Sequence, residues 1–346
     1  MASNEATQTS VPTTSAGFFQ RNAAPPAEVV EGMFRAGQIV AFAGPYGIGK
    51  SPLLAHLAIC ILNGFSWCGR KVVRRPVVHF DFESNAPAYR RTLQNIANRF
   101  NVDVPSVPEE LDVYLQNDDV KEPSTAKLLD ALKSPHLNVR LALIEEALKA
   151  KPDAVVIVDP MELLFRIDTR DKVHVLVLYS GLRFLLSQYP KAVTILTFNL
   201  RKKDRRGQRV DLLFDPREWL EEVCGSLDVM NRSDVRWGMD FHGDETRVIN
   251  GIRRGEDMHP LLIRPVGVPP DTLAGFELVR PDALDLIAAL TPAQMEHWQK
   301  LPDQFRFSEA VGLVPKASLW RLLERARSLG VIEEQGGVYR KRTLPA

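Results

Sequence analysis

Gly44-Pro45-Tyr46-Gly47-Ile48-Gly49-Lys50-Ser51 completes the spacing G-x-x-x-x-G-K-[ST], with the apolar run Ile39–Ala43 before it and a helix-like run after it. Each residue type has a task in holding phosphate. Gly44, Gly47 and Gly49 let backbone N–H groups wrap an anion, and the following helix adds its positive N-terminal end. Lys50 is placed to reach the β- and γ-phosphates of a nucleoside triphosphate, and Ser51 to hold Mg²⁺. Pro52 falls in the first helical turn, where a missing N–H costs little. The alternative for the same residues is a glycine turn with no ligand.

A triphosphate site also needs carboxylates. Ala154-Val-Val-Ile-Val-Asp159 ends an apolar strand in an acid that can hold Mg²⁺ through water, although Asp in that place also serves as a turn or helix cap. Val77-Val-His-Phe-Asp81-Phe-Glu83 ends another. If that strand neighbours the phosphate-loop strand, Glu83 lies near the γ-phosphate and can activate water. Asp81 competes for the role, and either acid can instead cap the helix beginning near Ala86.

These residues need a sheet to position them. Ile39–Ala43, Val77–Phe82, Ala154–Val158 and Val193–Phe198 are compact apolar runs of strand type. Between them, Ala86–Phe100, Asn138–Ala150 and His174–Gln188 carry apolar residues at helical spacing. The alternation predicts an α/β fold with a mostly parallel sheet and a ligand site at the carboxyl ends of its strands. Val104–Pro135 reads as a loop-rich insertion. Val235–Phe241, Arg247–Ile252 and Leu261–Arg264 read as closing antiparallel strands. Gly and Pro between Val266 and Pro281 mark a boundary.

Composition sets limits. The chain has 346 residues, 45% hydrophobic and 25% charged, with 44 Lys plus Arg against 43 Asp plus Glu, which excludes wholesale disorder and a globally basic nucleic-acid coat. Cys60, Cys68 and Cys224 lack zinc-like spacing and fit a reducing cytoplasm. The stretch Pro52–Trp67 is too short and too interrupted for a bilayer span. Expected organisation is a disordered leader over 1–27, an ATPase domain over 28–280 and a small domain over 281–346.

The constellation resembles the RecA-type P-loop ATPases, in particular the RepA-like branch of hexameric helicases related to DnaB. That resemblance implies ATP and Mg²⁺ as ligands, a homo-oligomeric ring, and single-stranded or duplex DNA as partner. It aligns Val193-Thr-Ile-Leu-Thr-Phe-Asn199 with the family's sensor strand, where Asn199 replaces the usual His and can still hydrogen-bond a phosphate or the attacking water. It also aligns Gly225-Ser226 and Ser233-Asp-Val-Arg236-Trp237 with a small-residue helix and the strand that follows it, so Arg236 is the expected arginine finger toward a neighbouring subunit. Arg232, Arg253 and Arg254 are alternatives.

After the sensor strand, Arg201, Lys202, Lys203, Arg205 and Arg206 form a basic run with no aromatic, suited to a nucleic-acid backbone. Lys202 can instead serve the nucleotide. Thr291–Arg342 reads as a winged helix-turn-helix: Ser308–Leu313, a turn at Val314-Pro315, a recognition helix Lys316–Leu329, and a wing around Gly336-Gly337. Leu319, Leu322, Leu323, Ala326 and Leu329 form its buried face, leaving Lys316, Arg321 and Arg325 for DNA. Such a unit also serves as a docking module, here for replication proteins. Three functional readings follow: a DNA helicase or translocase of a plasmid, phage or mobile element; an ATP-switched DNA-binding initiator or regulator; and a small-molecule kinase.

Overall fold

The computed structural model describes residues 25–102, 110–115, 139–165, 169–200, 210–213, 215–222, 227–242, 245–254, 256–267, 272–279, 290, 292–328 and 331–341. A short hairpin, β1 (Glu28–Val30) and β2 (Phe34–Arg35), leads into β3 (Ile39–Gly44), the phosphate loop and α1 (Lys50–Asn63). There follow β4 (Val77–Asp81), α2 (Ala86–Arg99), β5 (Leu111–Leu115), α3 (Val139–Ala150), β6 (Val155–Asp159), α4 (Met161–Phe165), α5 (Lys172–Gln188) and β7 (Val193–Asn199). The core closes with α6 (Pro216–Leu220), α7 (Leu227–Arg232), β8 (Val235–His242), β9 (Thr246–Arg253), β10 (Glu256–Asp257), β11 (Leu261–Pro265) and β12 (Phe276–Leu278).

One sheet runs in the order β12-β11-β9-β8-β3-β7-β6-β4-β5, with β10 paired to β9. The segment from β8 to β5 is parallel, and β9, β11 and β12 add antiparallel partners. The central strands are β-branched and buried along almost their whole length, as a sheet covered on both faces requires. One face holds α1, with Val40, Phe42, Leu53, Leu57, Trp67 and Trp237 in a single apolar cluster. The other face holds α3, α5 and the short helices, around Ala41, Ala43, Val158, Leu178, Leu182 and Trp219.

Two expectations change. The strand carrying Glu83 does not neighbour the phosphate-loop strand, because β7 and β6 stand between β3 and β4. The expected loop over 104–135 contains an edge strand, β5, pairing with β4 from Val77↔Leu111 to Asp81↔Leu115, while 103–109 and 116–138 lie outside the described residues. Asp112 interrupts the apolar run of that strand, and only its last residue is fully buried, which hides it from an apolar-run search.

The C-terminal elements are α8 (Pro292–Lys300), β13 (Gln304–Arg306), α9 (Phe307–Ala310), α10 (Lys316–Ser328), β14 (Ile332–Gln335) and β15 (Val338–Lys341), with sheet order β13-β15-β14. Gly336 and Gly337 both have positive φ, 60° and 77°, the backbone a tight two-residue hairpin needs. Leu319, Leu322, Leu323 and Ala326 are buried as expected; Leu329 lies outside the described residues. These residues continue the apolar cluster of the α5 face of the core.

Candidate nucleotide site

The loop after β3 turns at Gly47 (φ 75°) and Gly49 (φ 105°), and Gly49 is the N-cap residue of α1. A Cβ at Gly44 would stand 3.0 Å from the Met239 carbonyl oxygen, so both the turn and the close approach call for glycine. Lys50 is 8% exposed and its Nζ donates to the carbonyls of Gly44 (3.0 Å) and Pro45 (3.2 Å) and to Asn199 Oδ1 (3.0 Å). Burial lowers its pKa, while Asp159, Glu83 and Glu162 act in the opposite sense. The sensor strand thus presents Asn199 directly to the phosphate-loop lysine.

Asp159 ends β6 at 1% exposure; its Oδ1 accepts from Thr197 Oγ1 at 2.6 Å, and its Oδ2 is buried without a partner. An orphaned carboxylate oxygen in the field of the lysine fits a divalent cation, and Ser51, next to that lysine, lines the phosphate-loop cavity. Among the described residues no group of three His, Cys, Asp or Glu has metal-binding geometry, so an ion here would complete its shell with phosphate and water.

The rivalry between Asp81 and Glu83 resolves locally. Asp81 Oδ1 accepts the N–H groups of Glu83 (3.0 Å) and Ser84 (2.8 Å), so it holds the turn that projects Glu83. Neither acid caps α2; Asn85 does, accepting from the Ala88 N–H at 2.9 Å. Glu83 lines the phosphate-loop cavity. Burial, then Asp159, raises its pKa, against the pull of Lys50. A carboxylate so shifted is a stronger base, and the acid limb of a reaction it serves moves to higher pH. Glu83→Gln is expected to lower turnover by about 10²–10⁴-fold with nucleotide affinity retained, measured by phosphate release and by binding of a fluorescent nucleotide.

The cavity holds about 320 Å³, and beside the loop it is lined by Thr92, Arg247, Pro265, Leu273 and Phe276. Sequence reasoning missed these residues, as well as Thr197 and Glu162. Glu162 stands three positions past Asp159, and burial raises its pKa beside Lys50, Glu83 and Asp159. The run Asp159-Pro160-Met161-Glu162 was the available signal: a second acid one turn beyond a strand-end acid. The wall residues carried none: Arg247, Pro265, Leu273 and Phe276 arrive from the antiparallel end of the sheet, and Thr92 from α2.

Phe276 is fixed by its N–H donating to His56 Nδ1 (3.3 Å), by its carbonyl accepting from Arg99 Nη1 (3.0 Å), and by its ring lying against Gly49. Burial, and then the Arg99 charge, hold the His56 pKa down to about 3. The unfolded chain protonates this histidine near 6.5, so stability is complete above that pH and falls as pH drops toward 3, by about 1.4 kcal/mol per unit. His56→Gln is expected to flatten the loss of urea stability between pH 7 and pH 5; an unchanged slope would remove His56 as its cause.

Arg236 lies elsewhere. On β8 it pairs in register with Ala41, on the sheet face opposite α1, and lines a separate cavity of about 270 Å³ with Arg217, Leu220, Glu221, Met230, Asn231 and Ile252. Its Nη1 donates to Asn231 Oδ1 at 3.4 Å. Two of the alternatives are engaged, Arg253 with Glu28 (3.0 Å) and Arg254 with Asp234 (2.5 Å); Arg232 meets Arg183 through its backbone carbonyl (3.0 Å), and its buried Nε has no hydrogen-bond partner. Arg201, Lys202, Lys203, Arg205 and Arg206, with Gly225 and Ser226, lie outside the described residues. Lys316 and Arg321 are exposed on α10, whereas Arg325 departs from its expected place: its guanidinium donates to the Leu213 carbonyl of the core.

A phosphate loop at the end of β3, a sensor strand between it and the strand of Asp159, and a glutamate on the next strand out define a RecA-like P-loop ATPase core. The chain belongs to the AAA domain family, whose match spans residues 5–198. No curated protein matches it. Among solved structures it is similar to the RadB recombinase, at 14% identity and TM-score 0.45 over 71% of this chain and 92% of that one. It is also similar to a KaiC-like protein from the hyperthermophilic archaeon Pyrococcus horikoshii OT3, at 17% identity and TM-score 0.44 over 73% and 95%. No described helix is long and apolar enough to cross a membrane.

Proposed function

We propose that the protein is a Mg²⁺-dependent, ring-forming ATPase that moves on DNA as a helicase-like translocase of RepA-like type, in replication of a plasmid, phage or mobile element in a cytoplasm. The observation that carries this reading is the gathering of Asn199, Asp159 and Glu83 around Lys50 of the phosphate loop while Arg236 opens on the other face of the sheet. Lys50 and the loop N–H groups hold the triphosphate. Ser51 and Asp159 hold the cation, which supplies charge neutralisation when bound. Glu83 takes a proton from the attacking water, Asn199 reports the γ-phosphate to β7, and Arg236 acts on the nucleotide of a neighbouring copy. The basic run 201–209, which follows β7 in the sequence, supplies cations for a nucleic-acid backbone.

Residues 28–280 form the proposed ATPase domain and 281–346 a winged helix-turn-helix, which the order helix-strand-helix-helix-strand-strand supports. Lys316 and Arg321 remain its DNA contacts. The regulatory reading, in which ATP switches assembly of a DNA-bound initiator, draws support from Asn199 in place of the family's histidine.

Steady-state hydrolysis with and without single-stranded DNA, over a protein-concentration series, separates the two. Stimulation by single strands, with activity rising faster than protein concentration, is expected. Slow turnover indifferent to DNA would transfer the assignment to the ATP-switched initiator.

A further inference from the structure

We propose that the buried hydrogen bond between His79 and Tyr89 positions Glu83, by bolting β4 to α2 across the loop on which that glutamate stands. This rests on the ATPase reading above and adds two positioning residues to it, neither of which lines the phosphate-loop cavity. His79 Nδ1 and Tyr89 Oη share a hydrogen bond of 2.7 Å, and the two rings meet edge to face with centroids 5.3 Å apart. Both side chains are buried. His79 Nε2 is buried without a partner, so the bond to Tyr89 is the ring's one polar tie among the described residues.

The surroundings give packing no use for that polarity. Tyr89 shares an apolar cluster with Ala55 and Ile59 of α1 and with Leu93 and Ile96 of α2, where a hydroxyl and a ring nitrogen hold no advantage in stability over apolar groups of the same shape. The pair is also uncharged. Burial lowers the His79 pKa, against Asp81 and Asp159, and raises that of Tyr89. What the pair supplies is direction: a hydrogen bond fixes how the two groups face each other, which apolar contact does not.

Its place in the chain says what is being directed. His79 lies in β4 and Tyr89 in the first turns of α2, and the residues between them include Asp81, Glu83, Ser84 and the helix cap Asn85. On the strand side the loop is held by the Phe82 N–H, which donates to the Asp159 carbonyl at 2.8 Å, and by Asp81 Oδ1, which accepts from Glu83 and Ser84. On the helix side it is held through Tyr89. Alternation along β4 puts His79 and Asp81 on one side of the strand, so the side chain that grips α2 and the one that grips the turn stand two residues apart. Freeing the helix side lets Glu83 drift, and a displacement of about 1 Å costs a reaction as much as about 10²-fold.

The test uses the full-length chain carrying both His79→Leu and Tyr89→Phe. Removing the two partners together leaves no orphaned polar group, so the double variant is expected to melt close to the wild type by circular dichroism. Its kcat for ATP hydrolysis should fall by about 10- to 100-fold while affinity for a fluorescent nucleotide stays within about twofold. The Glu83 and Ser84 amides should exchange with deuterium faster than in the wild type. His79→Asn beside the native Tyr89, which returns a polar atom near the position of Nδ1, should recover most of the turnover. A double variant with wild-type kcat and wild-type exchange would overturn the proposal. So would a loss of turnover matched by equal losses of nucleotide affinity and melting temperature, because that is the mark of a general packing role. A wild type that neither binds nor hydrolyses ATP would instead overturn the ATPase reading, and the exchange of Glu83 and Ser84 would still decide whether this bond holds their turn.

Discussion

Lys50→Ala is expected to reduce ATP turnover by at least about 10²–10³-fold, because it removes the cation aimed at the charge that develops on the transferred phosphoryl group. The structure adds a second consequence. Lys50 Nζ is the shared donor for the carbonyls of Gly44 and Pro45 and for Asn199 Oδ1, and it faces Asp159, Glu83 and Glu162. Without it, the carboxylates lose a countercharge and Asn199 loses its partner on the loop. Nucleotide affinity is therefore expected to fall together with turnover, as read by titration with a fluorescent nucleotide alongside phosphate release. Unchanged turnover would remove the loop from catalysis altogether.

Arg236→Ala is expected to separate binding from turnover. Its cavity shares no lining residue with the phosphate-loop cavity, so nucleotide should bind normally while hydrolysis falls by about 10³–10⁵-fold, the usual worth of an arginine supplied across an interface. Arg236→Lys should rescue little, because a point charge does not reproduce the planar, forked guanidinium. The decisive experiment mixes this variant with Lys50→Ala. Each is inactive alone, yet in an equimolar mixture intact loops meet intact arginines and part of the activity returns. Mixed assemblies that remain silent would give Arg236 a role within its own chain.

The parts of this site readable from sequence are those whose local pattern reflects local physics. Gly47 and Gly49 occupy the positive-φ positions that the loop spacing demands, and Asp159 ends a strand whose five residues are all buried. Asp81 and Glu83 were indistinguishable in sequence because their roles differ only in which oxygen meets which N–H, and Asp81 proved to be the turn-holder. Pairing depends on topology, so the separation of β4 from β3 by two strands was invisible in apolar runs. Arg325 was placed on an exposed helix face by periodicity alone; its bond to Leu213 belongs to the packing of the C-terminal elements on the core. Phe276, Leu273 and Arg247 were illegible for the same reason, since they join the cavity only through the sheet's antiparallel extension.

The bond between His56 and Phe276 spans 220 positions of chain. During synthesis, the loop and α1 leave the ribosome long before the strand that walls their cavity exists. The strand before the loop, β3, pairs only with β7 and β8, so the phosphate cradle itself waits for those strands, and its wall is complete only after β12 has been made and docked. A chain cut short before Phe276 is expected to bind ATP weakly even with every residue of the phosphate loop intact.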